Sequence, residues 1–154
     1  MLKRKQAGFT LIELLVVIGI LAVLLAIVLI AINPARQFAQ ANNAKRSSDV
    51  NALLNSIHQY SADNKGNLTA LAIPNVAGVI NSTSFMALCT ALVPTYIAAL
   101  PVDPLTNNGT PVSDCAVAGG WDTNYEVSQS LTNSRITVSA PATELGIPII
   151  SVLR

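Results

Sequence analysis

The sequence predicts an α+β chain: a long N-terminal α-helix, half transmembrane and half amphipathic, packed on a small antiparallel β-sheet. Three observations carry that reading. Of the 24 residues from Phe9 to Ile32, 21 are apolar. As a helix rising ~1.5 Å per residue, such a run is about 36 Å long and can cross a ~30 Å hydrocarbon core. Next, Val50, Leu53, Leu54, Ile57 and Tyr60 recur at the i, i+3, i+4, i+7 spacing of one buried helical stripe. Last, Tyr125-Glu126-Val127 and Arg135-Ile136-Thr137-Val138 alternate as strands about an Asn133 turn, and Ile147 to Leu153 reads as a final apolar strand.

Composition narrows the function classes. Apolar residues make up 51 % of the 154 and charged residues only 11 %, less than half of the roughly 25 % usual in soluble domains. The formal charge is +1, and three of the cations, Lys3, Arg4 and Lys5, precede the apolar run. From Gly66 onward only Arg135 and Arg154 oppose Asp103, Asp114, Asp122, Glu126 and Glu144. Nucleic acid therefore finds no electrostatic footing on the globular part. Its polar surface must come from Asn, Ser and Thr, which number 13, 12 and 11.

The apolar run admits three readings. A cleaved secretory signal is disfavoured, because the run far exceeds a 7–15-residue h-region and Pro34 stands where a cleavage region would open. A plain single-pass anchor explains the hydrophobicity but not Glu13. A charge at mid-membrane costs about 2.5–3.5 kcal/mol on insertion scales, less near an end, so an intramembrane carboxylate is a functional candidate with a partner to be named. No Lys, Arg or His lies between Phe9 and Ile32, so the neutralising cation must come from outside that run. In the third reading Glu13 is part of an assembly device.

The residues Lys3-Arg4-Lys5-Gln6-Ala7-Gly8-Phe9-Thr10-Leu11-Ile12-Glu13-Leu14 and the apolar run after them resemble the N-terminus of the type IV pilin and type II secretion pseudopilin superfamily. The resemblance covers about 25 residues. It implies a basic leader, cleavage between Gly8 and Phe9 by a membrane aspartyl (prepilin) peptidase, and N-methylation of the Phe9 amine. It also implies a partner for Glu13: the Phe9 ammonium of a neighbouring subunit in a homo-oligomeric helical filament. Desolvation offsets much of the Coulomb gain of such a pair, so its main use is registry. Gly19, Ala22 and Ala26 would permit close helix approach. An assembly ATPase and an inner-membrane platform protein are further implied partners. The expected organisation is a leader over residues 1–8, a transmembrane and filament-core helix over 9–32, an amphipathic helix over 33–62, and a pilin-like head over 63–154.

Beyond the membrane, one helix is expected from about Thr10 to Ala62, kinked or locally unwound near Asn33-Pro34 because Pro34 cannot donate to the Ile30 carbonyl. In the pilin family the characteristic proline falls four residues earlier, where this chain has Ile30. Arg36, Lys45, Arg46 and Asp49 are read as a solvated helix face. Gly66 to Asn81 reads as loop, and Ser82 or Thr83 as the cap of a helix from Ser84 to Leu92. Leu92-Val93-Pro94-Thr95-Tyr96-Ile97 and Leu100-Pro101-Val102-Asp103-Pro104 are similar to the major-pseudopilin branch. The Gly- and Asn-rich stretch between Pro104 and Tyr125 departs from that branch, so none of its calcium ligands is carried over.

Flanking positive charges are nearly balanced across the apolar run, so the cysteines and the resemblance, rather than a charge count, place the head outside the cytoplasm. There Cys89 and Cys115 pair as one disulfide; the alternative is two unjoined buried thiols. Zinc ligands at characteristic spacing are absent, and no metal or other cofactor is expected. Asp103, Asp114 and Asp122 are scattered through loops, a weak basis for calcium. His58, the only histidine, is read as pointing to solvent, and no catalytic set can be built around it. Gly119-Gly120 reads as a turn and Trp121 as packed on the sheet, with an adhesive aromatic as the less favoured alternative. Three Asn-x-Thr triplets, at Asn67, Asn81 and Asn108, are what a chain rich in Asn and Thr produces by chance. The functions in contention are a non-enzymatic filament subunit, a pseudopilin for secretion or DNA uptake, and a membrane-tethered binding domain that never polymerises. The first implies an inner-membrane precursor that becomes a cell-surface filament.

Overall fold

In the computed structural model, residues 8–117 and 119–154 are described. The chain divides into two compact units, one ending at Phe38 and the other running from Ala39 to Arg154. The N-terminal unit is dominated by α1, Leu11–Ile32, in which no residue is buried. An apolar surface on every side marks a helix meant for lipid or for other helices. With 22 residues it is long and apolar enough to cross a membrane. Thr10 caps its start in an extended conformation, and Glu13 completes a capping box.

The helix expected over Thr10–Ala62, kinked or locally unwound near Asn33-Pro34, is interrupted there by one residue and so forms two helices. Asn33 sits between them at φ 46° and ψ 80°, the left-handed region that Asn tolerates better than most residues. Pro34 then opens α2, Pro34–Asp63, at the first helical position, where its missing N–H costs nothing. The Asn33 carbonyl accepts from the Arg36 N–H at 3.1 Å. Pro34 thus starts a new helix rather than bending the old one.

The head is assembled on α2. Val50, Leu53, Leu54 and Ile57 are almost wholly buried, the stripe expected from their spacing. They join one core with Ile80, Tyr125, Val127, Ile136 and Val138. Those residues come from β1 (Gly78–Asn81), β2 (Asp122–Gln129) and β3 (Ile136–Ala140), which with β4 (Ile150–Leu153) form an antiparallel meander in the order β1-β2-β3-β4. Val127 pairs with Val138 and Val138 with Val152. Alternation along β2 and β3 sends Thr123, Tyr125, Val127, Ile136, Val138 and Ala140 inward.

Two local expectations change. The stretch Gly66–Asn81 is not all loop: it holds a one-turn 3-10 helix at Thr69–Leu71 and the edge strand β1. Only Ile80 of β1 is fully buried, so four residues offer too little alternation to announce a strand. The short helix α3 spans Met86–Leu92, and Phe85, not Ser82 or Thr83, stands at its N-cap without a side-chain bond. Asn81 takes up the preceding donors instead, its Oδ1 accepting from the Thr83 and Ser84 N–H groups.

Cys89 on α3 is bonded to Cys115, closing a sequence separation of 26 residues with the Cα atoms 5.8 Å apart. Closing a loop of that length removes roughly 3.5 kcal/mol of chain entropy from the unfolded head. Replacing both cysteines by Ala should therefore lower head stability by about 3 kcal/mol. A fall in the urea midpoint of the far-UV signal, with α1 held in micelles, is the expected readout.

Candidate functional site

The residues singled out at the N-terminus are brought together by the first turn of α1. Phe9 is 90 % exposed, and one helical turn on, Glu13 lies on the same side. Phe9, Glu13, Leu14 and Val17 line an apolar hollow of about 200 Å³. The Glu13 Oε2 accepts from the Thr10 N–H at 2.8 Å and from the Thr10 hydroxyl at 2.7 Å. The Glu13 N–H donates back to Thr10 Oγ1 at 3.3 Å. The carboxylate is thus held at the N-terminus of its own helix, where unpaired N–H groups and the helix dipole favour negative charge. This Thr-x-x-Glu pattern before an apolar run is a sequence-level capping signature. It is the signal that would have identified Thr10 as the residue orienting Glu13. Lys3, Arg4 and Lys5, read from sequence as leader charges, lie outside the described residues.

The head contains a second constellation, and it corrects the reading of α2. Arg46 is not on a solvated face; its side chain is fully buried. Its Nε and Nη2 form a bidentate pair with Asp103, at 2.6 and 3.1 Å. Its Nη1 donates to Asn43 Oδ1 at 2.9 Å and to Glu144 Oε2 at 2.8 Å. Hydrogen bonding from Arg46, aided by the Asn42 amide, holds the Glu144 carboxyl below its ordinary range. Asp49 is also drawn in: it accepts from the Tyr125 hydroxyl at 2.7 Å and sits 3.7 Å from Lys45. Burial, reinforced by Asp49, pushes the Tyr125 hydroxyl well above its usual value. Arg46 is satisfied at four positions, as a buried guanidinium must be.

The other carboxylates, His58 and Trp121 have their own surroundings. Asp103 is committed to Arg46 and to the Leu105 N–H. Asp114 and Asp122 each accept from a backbone N–H two residues on, at Ala116 and Asn124. Among the described residues no three His, Cys, Asp or Glu side chains gather as a metal site. His58 does not point freely to solvent; it is half-buried, and its Nε2 has no partner among the described residues. Trp121 is half-buried against the core, its Nε1 donating to the Cys115 carbonyl at 2.9 Å.

Residues 3–29 match the family model described as a prokaryotic N-terminal methylation motif. The chain thus carries over this stretch the prepilin-type motif common to type IV pilins and pseudopilins. No curated protein and no solved structure matches it. The motif ends within α1, so it covers Phe9, the capping box and most of the apolar helix. The fold that bears it is α+β and pilin-like: an N-terminal apolar helix, a second helix and a four-stranded antiparallel sheet.

Two stability measurements test the buried cluster. Arg46→Ala strands the Asp103 carboxylate in the core and should cost about 3–5 kcal/mol, seen as a lower urea midpoint of the head. Glu144→Gln should destabilise less, and with a defined pH dependence. A carboxyl depressed on folding stabilises the head above its unfolded pKa, and that stabilisation is lost as pH falls through the folded value. The gap between the parent chain and Glu144→Gln should therefore be widest near neutral pH and close in acid.

Proposed function

We propose that this chain is a structural subunit of a type IV pilus or pilus-like filament, cut between Gly8 and Phe9 and assembled through α1. One observation carries the reading: a helix apolar on every side, within a methylation motif, holds a single carboxylate in its first turn. Hydrolysis of the Gly8–Phe9 bond creates a cationic amine one turn from Glu13, and methylation preserves its charge. Within one subunit Thr10 already engages Glu13. In a staggered array the amine of a neighbour would lie beside the carboxylate, and a misaligned subunit would leave a charge bare in an apolar medium. Packing of apolar helices supplies the cohesion, and the acid supplies the register. Under this reading residues 1–8 are a leader, 9–32 the membrane and filament-core helix, 33–62 its continuation into the head, and 63–154 the remainder of the head. The peptidase, an assembly ATPase and an inner-membrane platform protein would be the partners, and the filament would stand outside the cell.

A pseudopilin role is the second reading, favoured by the Leu100-Pro101-Val102-Asp103-Pro104 step, whose Asp103 is the main anion for Arg46. Extended extracellular filaments of this chain would support the first reading, and short periplasm-spanning assemblies the second. For both, the intact mass of the mature protein should equal that of Phe9–Arg154 plus one methyl group. Glu13→Ala should leave membrane insertion intact and abolish assembly, scored by shearing and electron microscopy. Full assembly of Glu13→Ala, or a mature protein retaining its first eight residues, would instead point to a tethered binding domain.

A further inference from the structure

We infer that the head carries a binding cleft for a neutral sugar ring, built around Trp121. Two hollows of about 480 and 350 Å³ adjoin each other and share Asn107, Gly120 and Trp121 in their walls. Both fall in the size range of small-molecule sites. The larger is also lined by Ser82, Thr83, Thr106 and Asp122.

The walls are held in place. Trp121 is fixed through its Nε1 bond to the Cys115 carbonyl, and Cys115 is tied by its disulfide to α3. With that nitrogen engaged, the indole has only its carbon surface to offer a ligand. The Ser82 N–H donates to the Trp121 carbonyl at 2.9 Å, joining one wall to the next. Asn107 is presented from a tight turn, left-handed at Asn107 and Asn108 and closed by the Gly109 N–H on the Thr106 carbonyl at 2.8 Å. At Gly120, φ is 75° and an added Cβ would come within 2.6 Å of Ser82 Oγ, so a side chain there would intrude on the wall. Such pre-organisation lowers the entropic cost of binding.

The chemistry of the lining selects the ligand. The hydroxyls of Ser82, Thr83 and Thr106 and the amide of Asn107 have no side-chain hydrogen bond to another described residue. Asp122 commits Oδ1 to the Asn124 N–H at 2.7 Å and keeps Oδ2 as an acceptor. Donors and acceptors in this number around a fixed aromatic suit a ligand with many hydroxyls and one apolar face. No Lys or Arg stands among the described lining residues, so a phosphate, sulfate or carboxylate would meet Asp122 without a countercharge. A pyranose fits both demands. Its hydroxyl edge can donate to Asp122 and Asn107, and its weakly positive C–H face can rest on the negative face of the indole.

The inference does not depend on polymerisation, and it is tested on the full chain in micelles of a detergent without a sugar headgroup. Trp121 is the only tryptophan, so its emission reports on the cleft. Glucose, galactose, N-acetylglucosamine and N-acetylgalactosamine are titrated in turn, with sorbitol as a hydroxyl-rich control lacking a ring. At least one pyranose should give a saturable emission change that sorbitol does not. Asp122→Asn should weaken the apparent Kd about tenfold, the effect of losing one hydrogen bond to a charged group. Ser82→Tyr, which fills the larger hollow, should abolish the response. Should that variant fail to fold, the exposed Asp122 substitution decides alone. No saturable response to any of the four sugars, an equal response to sorbitol, or a Kd unmoved by Asp122→Asn would overturn the inference.

Discussion

The guanidinium of Arg46 lies out of reach of water on the inner side of α2, and the arrangement of the head follows from how it is satisfied. Two of its nitrogens face Asp103 and a third reaches Asn43 and Glu144. A charge withdrawn from water cannot be left partly unpaired, so the loop bearing Asp103 and the loop bearing Glu144 must both close on α2. Asn43 reinforces the second closure: its Nδ2 donates to the Glu144 carbonyl, and its Oδ1 accepts from the Glu144 N–H. The apolar stripe of α2 supplies most of the driving force for burial, but it is tolerant of sliding. The ion cluster is not, and it specifies where along the helix the two loops attach.

The parts of this architecture that were legible from sequence are those with a local signature. The length and uniform apolarity of α1, the spacing of Val50, Leu53, Leu54 and Ile57, and the alternation in β2 and β3 each show within a dozen residues. Contacts made across the fold were not legible. Arg46 and Asp103 are 57 positions apart, and Arg46 and Glu144 are 98 apart. The spacing does carry Arg46 onto the buried stripe, four residues before Val50 and seven before Leu53, but only its distant anions allow a charge to stand there, whereas Lys45 beside it lies off the stripe and stays exposed. The break at Asn33 lay between the two. Pro34 announces a disturbance, but whether a helix bends or restarts depends on the left-handed conformation of the residue before it. At the N-terminus the signals are all local: the motif draws attention to Phe9 and Glu13, and the Thr-x-x-Glu capping pattern marks Thr10 as the residue that holds Glu13.

The two units solve opposite solvation problems. In α1 the backbone is satisfied internally and every side is apolar, so its natural surroundings are lipid or other helices. Its one ionisable group stands at the end where backbone N–H groups are unpaired. In the head, ionic groups are few and several are turned inward, which leaves neutral amides and hydroxyls to face the solvent. Such a surface meets partners through hydrogen bonds and shape more than through charge, and its encounters should be little screened by salt.

The bond between Cys89 and Cys115 spans the most irregular part of the head, including the Leu100 to Val112 bridge and the turn at Asn107–Gly109. Exposed turns of this kind are where proteases cut first. A nick there would sever the backbone but not the molecule. Both pieces would remain covalently joined, with α3 on one side and β2 to β4 on the other, until a reductant reached the bond.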